Sequence, residues 1–339
     1  MNEAGRLVHC AGAALVAALL ARGAAAEPAP YASRPEVQAF IHEVVERHGF
    51  VEKELVFLFS RVRPVEPVLK AISAPPDKAR SWPEYRSLFL NERRIALGTE
   101  FWRSQRRALA RAEREFGVPA EYIVAILGVE TLYGRNTGRY RVVDALSTLA
   151  FDYPPRADFF RDELVSYLLM ARDEGLDVFS LRGSYAGAFG MPQFMPGSAR
   201  RYAVDFDSSG AIDLSRSAAD AIGSVANFLL RHGWHPGEAV LVPASVQGEA
   251  WRAYATGSVE PLYTMAELSS AGVSAAQAPA PSERVALIEL GGAGTTAEYR
   301  LGLQNFYALT RYNRSAFYAC AVHDLAAAIR SRVASKRPR

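Results

Sequence analysis

Apolar residues recur every three to four positions through most of the chain, a spacing that predicts a mainly helical protein. Helical patterns run through residues 37–46 and 53–60, and then Pro64, Pro67, Pro75 and Pro76 break a connector. A long amphipathic helix is predicted over 91–116 with Gly117 as its stop. Pro119 suits the first turn of the next helix, which Gly134 is placed to close. Residues 158–174 put Phe159, Phe160, Leu164, Tyr167, Leu168 and Ala171 on one face before Gly175, and Asp220 can cap a helix over 221–231 that Gly233 ends. Beyond Trp234 the period changes. Residues 239–242, 285–290 and 297–303 alternate or are β-branched, and the glycine-rich run at 291–294 separates the last two as a hairpin turn would. The Ala/Pro/Ser stretch 269–282 reads as a mobile loop and 315–331 as a final helix. The class is α+β, mainly α-helical, with a helical part at 27–84, a core at 85–235, a small β subdomain at 236–304 and a segment at 305–339 that returns to the core.

One helix carries chemistry. Glu130 lies seven residues after Ile123, four after Ile126 and three after Leu127, which sets a carboxyl group on an apolar face. There its pKa should rise, as a general acid near neutral pH requires. The competing reading is a partly exposed Glu in a last turn.

At 339 residues, half of them hydrophobic and 22% charged, the chain can bury a sizeable core. Its net charge of +3 gives no nucleic-acid signal. Residues 1–26 read as a cleaved secretory signal, with Arg6 before an apolar run over 11–21 and Ala24-Ala25-Ala26 as the cleavage site. The run is too short to stay in a membrane, and Cys10 precedes it, which argues against a lipid anchor. A periplasmic protein is expected, with Cys320 as a packing residue and 330–339 as a frayed basic tail.

The six histidines are scattered, and neither a hydrolase elbow nor a phosphate loop is present. Residues 183–196 combine small residues with Tyr185, Phe189 and Phe194, a mixture of flat faces and polar rims that suits sugars or a buried connector. Residues 205–213 read like the first part of a calcium loop, with Asp205, Asp207, Ser209, the Ala211 carbonyl and Asp213 at ligand places and Gly210 sixth. Arg216 occupies the twelfth place, so Asp220 would have to supply a late carboxylate, and a metal-free turn is the alternative.

From Tyr85 to Tyr318 the chain resembles the lytic murein transglycosylase B type of peptidoglycan lytic transglycosylase. The likeness rests on Gly128-Val129-Glu130-Thr131, Asp144-Ala145-Leu146, Ala186-Gly187-Ala188 with Gln193-Phe194-Met195-Pro196, the run 220–227 and Arg311-Tyr312-Asn313. It implies a lysozyme-like catalytic core with a helical flanking domain and a small β insertion, and Glu130 as sole catalytic acid and base. It carries substrate-binding roles onto Tyr85, Arg156, Ser184, Gln193, Phe194, Tyr312, Asn313 and Tyr318. Phe159 and Phe228 stand where tyrosines are expected, and Pro155 where an arginine can occur.

Glycosidases ordinarily use two carboxylates. Asp144 and Asp152, nearest to Glu130 in sequence, read as caps or braces, so one acid would act twice. The expected reaction opens the bond between N-acetylmuramic acid and N-acetylglucosamine and closes the C6 hydroxyl onto C1. A muramidase hydrolase and a non-catalytic wall-binding scaffold are the alternatives. No cofactor is required beyond a candidate structural calcium. Glycan strands are the expected partner, wall-remodelling proteins are candidates, and the chain is expected to be a monomer.

Overall fold

The helix Ala120–Thr131 is buried along nearly its whole length, and the rest of the molecule is arranged around it. The computed structural model describes residues 30–74, 81–291 and 296–335; the leader at 1–26, Pro75, Pro76 and the last four residues of the tail lie outside them. The final helix, Ala316–Ser335, and the helix Glu92–Ser104 both pack against this central element. Ile123, Ile126 and Leu127 are fully buried, as their shared face requires.

The N-terminal helices Pro35–His48 and Glu52–Arg61 join the same core. Phe40 and Phe59 meet Phe151 edge-on, with ring centroids 5.5 and 6.1 Å away. The connector that prolines were expected to break contains a helix, Glu66–Ser73, because Pro67 sits in its first turn, where a missing N–H removes no intrahelical bond. A further helix, Trp82–Phe89, starts at a capping box of Ser81 and Glu84. The predicted long helix over 91–116 is two, Glu92–Ser104 and Arg106–Phe116, broken where Gln105 adopts φ −102° and ψ 17°. Gly117 ends the second as expected.

The β part is a five-stranded antiparallel sheet in the order Tyr263–Thr264, Arg284–Leu290, Glu298–Gly302, Leu241–Val246, Val273–Ser274. Val285 and Leu287 face a small core with Trp251, Leu268 and Leu301, whereas Ala286, Ile288 and Leu290 face the main core. Both faces are covered over residues 285–288, which therefore read as an apolar run before exposed Glu289. The stretch 269–282 is more ordered than its composition suggested. Its start belongs to the helix Met265–Ser270, and buried Val273 pairs with Val246.

A half-buried ion network fastens this sheet to the core. Arg300 reaches Asp324 of the final helix at 2.7 Å and Glu298 at 2.6 Å, and Arg86 reaches Asp324 at 2.6 Å. The Trp82 indole donates to Glu298 at 3.1 Å. The supposed frayed tail is helical through Ser335, with Arg330 on Glu121 at 2.9 Å and Arg332 on Glu92 at 2.5 Å.

Candidate active site

Glu130 is the penultimate residue of its helix, and the chain leaves that helix under strain. Leu132 and Tyr133 have φ 52° and 62°, ahead of Gly134 at 82°, so the stop comes two residues before the glycine expected to provide it. Left-handed backbone costs a bulky residue about 1–2 kcal/mol. Several bonds hold it there. The Tyr133 N–H donates to the Leu127 carbonyl at 3.0 Å, and its phenol donates to the Arg94 carbonyl at 2.9 Å. The Thr131 hydroxyl donates to the Met191 carbonyl at 2.8 Å and accepts from the Gly134 N–H at 2.9 Å. The Tyr133 ring fills a slot that exists because Gly98 and Gly128 carry no side chain: a Cβ at either would lie 2.4 or 2.5 Å from the phenol oxygen. Tyr133 had no place in the sequence reading, although two glycines inside helices hint at a close approach.

The carboxyl group is half-buried. Burial raises its pKa to about 7, opposed by the Tyr318 phenol, which donates to Glu130 Oε1 at 2.5 Å. Tyr312 stacks nearly parallel to Tyr318, 6.5 Å away, and donates to the Pro192 carbonyl at 2.6 Å. Burial first, and the nearby Glu130 carboxylate second, hold both phenols well above their ordinary pKa, so both remain neutral donors. Tyr318→Phe should therefore raise the Glu130 pKa by roughly one unit, because a bond favouring the ionised form is lost. A 13C NMR titration of the carboxyl measures this; an unmoved midpoint would mean that the phenol does not hold the carboxylate.

No second carboxylate contributes to the Glu130 shift, for which burial and Tyr318 are the causes. Asp144 accepts from the Arg63 N–H at 3.2 Å and from Arg141 at 2.6 Å. Asp152 accepts from the Tyr31 phenol at 2.5 Å and from Arg34 at 2.6 Å. Both brace the N-terminal segment.

The segment 183–196 folds back on itself through bridges from Phe189 to Gly183 and to Phe194. This turns Phe189 and Phe194 inward, so they are not the flat faces that sequence suggested, whereas Tyr185 is exposed. Phe194, 2% exposed, packs on Phe228 and Tyr312 at 5.5 and 5.8 Å; it supports Tyr312 and offers no face to a ligand. The Ser184 hydroxyl oxygen accepts from the Ala186 and Ala188 N–H groups at 3.3 and 3.1 Å, which leaves its proton to donate. Gln193, at φ 51°, uses both amide protons on the carbonyls of Thr137 and Gly190 at 3.1 and 2.9 Å. Its amide oxygen is the group left to accept.

Tyr85 is half-buried against Phe89 and Phe317, and Asn313 is exposed just after Tyr312. Arg156 is exposed, with its guanidinium 4.4 Å from the Phe159 ring. Phe159, 39% exposed, leaves the apolar face predicted for it and serves as that cation's platform. Phe228 is buried beneath His232, with ring centroids 4.0 Å apart.

The loop from Asp205 brings carboxylate oxygens of Asp205, Asp207 and Asp220 within 4.8 Å of one another. Asp220 is fully buried and does not cap its helix, a task that falls to Ser217, whose hydroxyl accepts from the Asp220 N–H at 3.1 Å. Its carboxylate accepts from the N–H groups of Phe206, Asp207 and Asp213 at 2.8, 3.2 and 2.8 Å. The Ser209 hydroxyl donates to the Ala211 carbonyl at 3.0 Å. Three carboxylates and a carbonyl form the hard-oxygen set that suits calcium, without the usual closing glutamate.

The sequence profile of the Transglycosylase SLT domain matches residues 32–327. The chain belongs to this transglycosylase family. It is 40% identical over 308 residues to the membrane-bound lytic murein transglycosylase B of Escherichia coli K12, covering 88% of this chain and 84% of that one. The catenated lytic transglycosylase SltB1 of Pseudomonas aeruginosa superposes with a TM-score of 0.86 at 48% identity, covering 89% and 99% of the two chains. Escherichia coli Slt35, solved in complex with calcium, gives 0.81 at 40% identity over 90% and 95%. Pseudomonas aeruginosa SltB3, solved with NAG-NAM-pentapeptide, gives 0.77 at 28% identity over 87% and 79%. The fold is that of the lysozyme-like lytic transglycosylases, and the chain is an enzyme of peptidoglycan.

Proposed function

We propose that this transglycosylase opens the β-1,4 bond between N-acetylmuramic acid and N-acetylglucosamine without water, leaving a 1,6-anhydromuramoyl end. The observation that carries this reading is the Glu130 carboxyl group, raised by burial to a pKa of about 7, with no carboxylate among the described residues contributing to that shift. Protonated Glu130 gives its proton to the glycosidic oxygen as the C1–O4 bond breaks. The N-acetyl oxygen of the muramoyl ring stabilises the cation at C1. The Gln193 amide oxygen is free to accept that group's N–H, and the Ser184 hydroxyl is free to donate to the substrate beside it. The Tyr318 bond then stabilises the Glu130 carboxylate, which takes the C6 hydroxyl proton as O6 closes onto C1. Glu130 ends protonated, ready for another turn. Mass spectrometry of digested murein tests the reading: anhydro ends are expected, and reducing ends would overturn it in favour of hydrolysis.

The fit of the Asp205 loop and the calcium complex of Slt35 support a structural calcium held by Asp205, Asp207, Asp220 and the Ala211 carbonyl. Millimolar calcium should raise the melting temperature by a few degrees, and EGTA should reverse it. An unchanged melting curve would mean that the loop's own N–H bonds suffice. Action as a monomer on exported wall polymer is part of this proposal. Among the described residues no helix is long and apolar enough to cross a membrane.

A further inference from the structure

Beside Ser184 lies a second cleft of about 440 Å³, walled by the loop Arg135, Asn136, Thr137, Gly138, Arg139 and by Tyr140. No acid lines it, and neither Arg135 nor Arg139 has an ion-pair partner among the described residues. Arg182, on the strand that pairs with Tyr140–Arg141, brings a third guanidinium to this edge by donating to the Arg139 carbonyl at 2.8 Å. The wall is built into the site. The Asn136 N–H donates to the carbonyl of Thr131, next to Glu130, at 2.9 Å, and Thr137 accepts from Gln193 at 3.1 Å. At Gly138, φ 100°, a Cβ would stand 2.0 Å from the Gly183 carbonyl, so the loop lies directly on the backbone that leads to Ser184. Arg139 also donates to the Tyr140 phenol at 3.0 Å, which holds its charge over the cleft.

We infer that this cleft binds the carboxylates of the peptide attached to the muramoyl residue, with Arg135 and Arg139 as the recognising groups. The inference rests on the function proposed above. On a muramoyl ring the N-acetyl group at C2 adjoins the lactyl-peptide ether at C3. A ring that presents its N-acetyl group at Ser184 therefore directs its peptide toward the neighbouring cleft. Guanidinium groups recognise carboxylates in a two-pronged geometry, and unpaired ones set in a preformed wall await an anion from outside.

The test compares wild type with the Arg135→Ala/Arg139→Ala double variant on two substrates: peptide-bearing glycan strands and the same strands stripped by an amidase. On peptide-bearing strands the variant should lose about tenfold in kcat/KM, mostly through KM, and the wild-type advantage should shrink in high salt. On stripped strands the two proteins should be equal. Equal losses on both substrates, or no loss on either, would overturn the inference. Arg135→Lys/Arg139→Lys should recover part of the loss, and its failure on both substrates would indicate a structural defect and overturn it likewise. If wild type releases no anhydro ends from either strand, the proposed function falls first and the inference with it.

Discussion

Glu130→Gln is expected to abolish cleavage and, above neutral pH, to make the protein more stable. Loss of a group proposed to act as both acid and base should cost at least ~10³-fold in rate. The stability gain follows from proton linkage. Burial holds the folded pKa near 7, above the ordinary value of 4.5, so between those values the folded chain holds a proton that the unfolded chain has lost. Stability must therefore fall as pH climbs from about 4.5 to 7, and the deficit persists above 7. Glutamine cannot ionise, yet its amide oxygen can still accept the Tyr318 phenol. The variant should gain about 2–3 kcal/mol at pH 8, read as a few degrees in melting temperature, and nothing at pH 4. A variant that melts with wild type at both pH values would show that the carboxyl group is well solvated, and one that still clears murein would remove Glu130 from the chemistry.

Gly128→Ala should damage both the fold and the site. In an exposed helix this substitution stabilises by about 1 kcal/mol. Here the new methyl would stand 2.5 Å from the Tyr133 phenol oxygen and 2.6 Å from its Cζ. The ring cannot yield without giving up its bond to Arg94 and the left-handed turn that follows Glu130. A loss of about 2–3 kcal/mol in urea unfolding is expected, with activity falling further than stability alone explains. Gly98→Ala, which attacks the slot from its other wall and also meets Ile329 at 2.6 Å, should fail in the same way. Wild-type stability in both variants would mean that the slot is soft.

What the sequence made legible was local and periodic. The apolar stripe of the central helix and the strands on either side of residues 291–294 could be read from spacing alone; the turn expected there lies, from residue 292 on, outside the described residues. Prolines misled where position mattered more than identity, since Pro67 begins a helix that it was expected to prevent. Asp220 looked like a cap because caps are common at that spacing, but its carboxylate is occupied by the loop from 205 to 213 while Ser217 does the capping. Aromatic residues beside glycines suggested open faces, and only the backbone bridges of Phe189 settle that Phe194 turns inward. The partner that tunes Glu130 could not be found by spacing at all, because Tyr318 lies 188 residues further along. Resemblance supplied that residue; geometry supplied its bond.

That separation governs when the site can come into being. During synthesis the chain must pass Glu130 and then most of its remaining length before the tyrosine exists. The helix that carries Tyr318 also supplies one wall of the groove in which the central helix lies, and it holds the β sheet through Asp324. The core is therefore completed at the carboxyl end, and docking of the last helix is a late event that assembles packing and site together. A chain cut before residue 316 would carry its acid with neither its donor nor a finished interior.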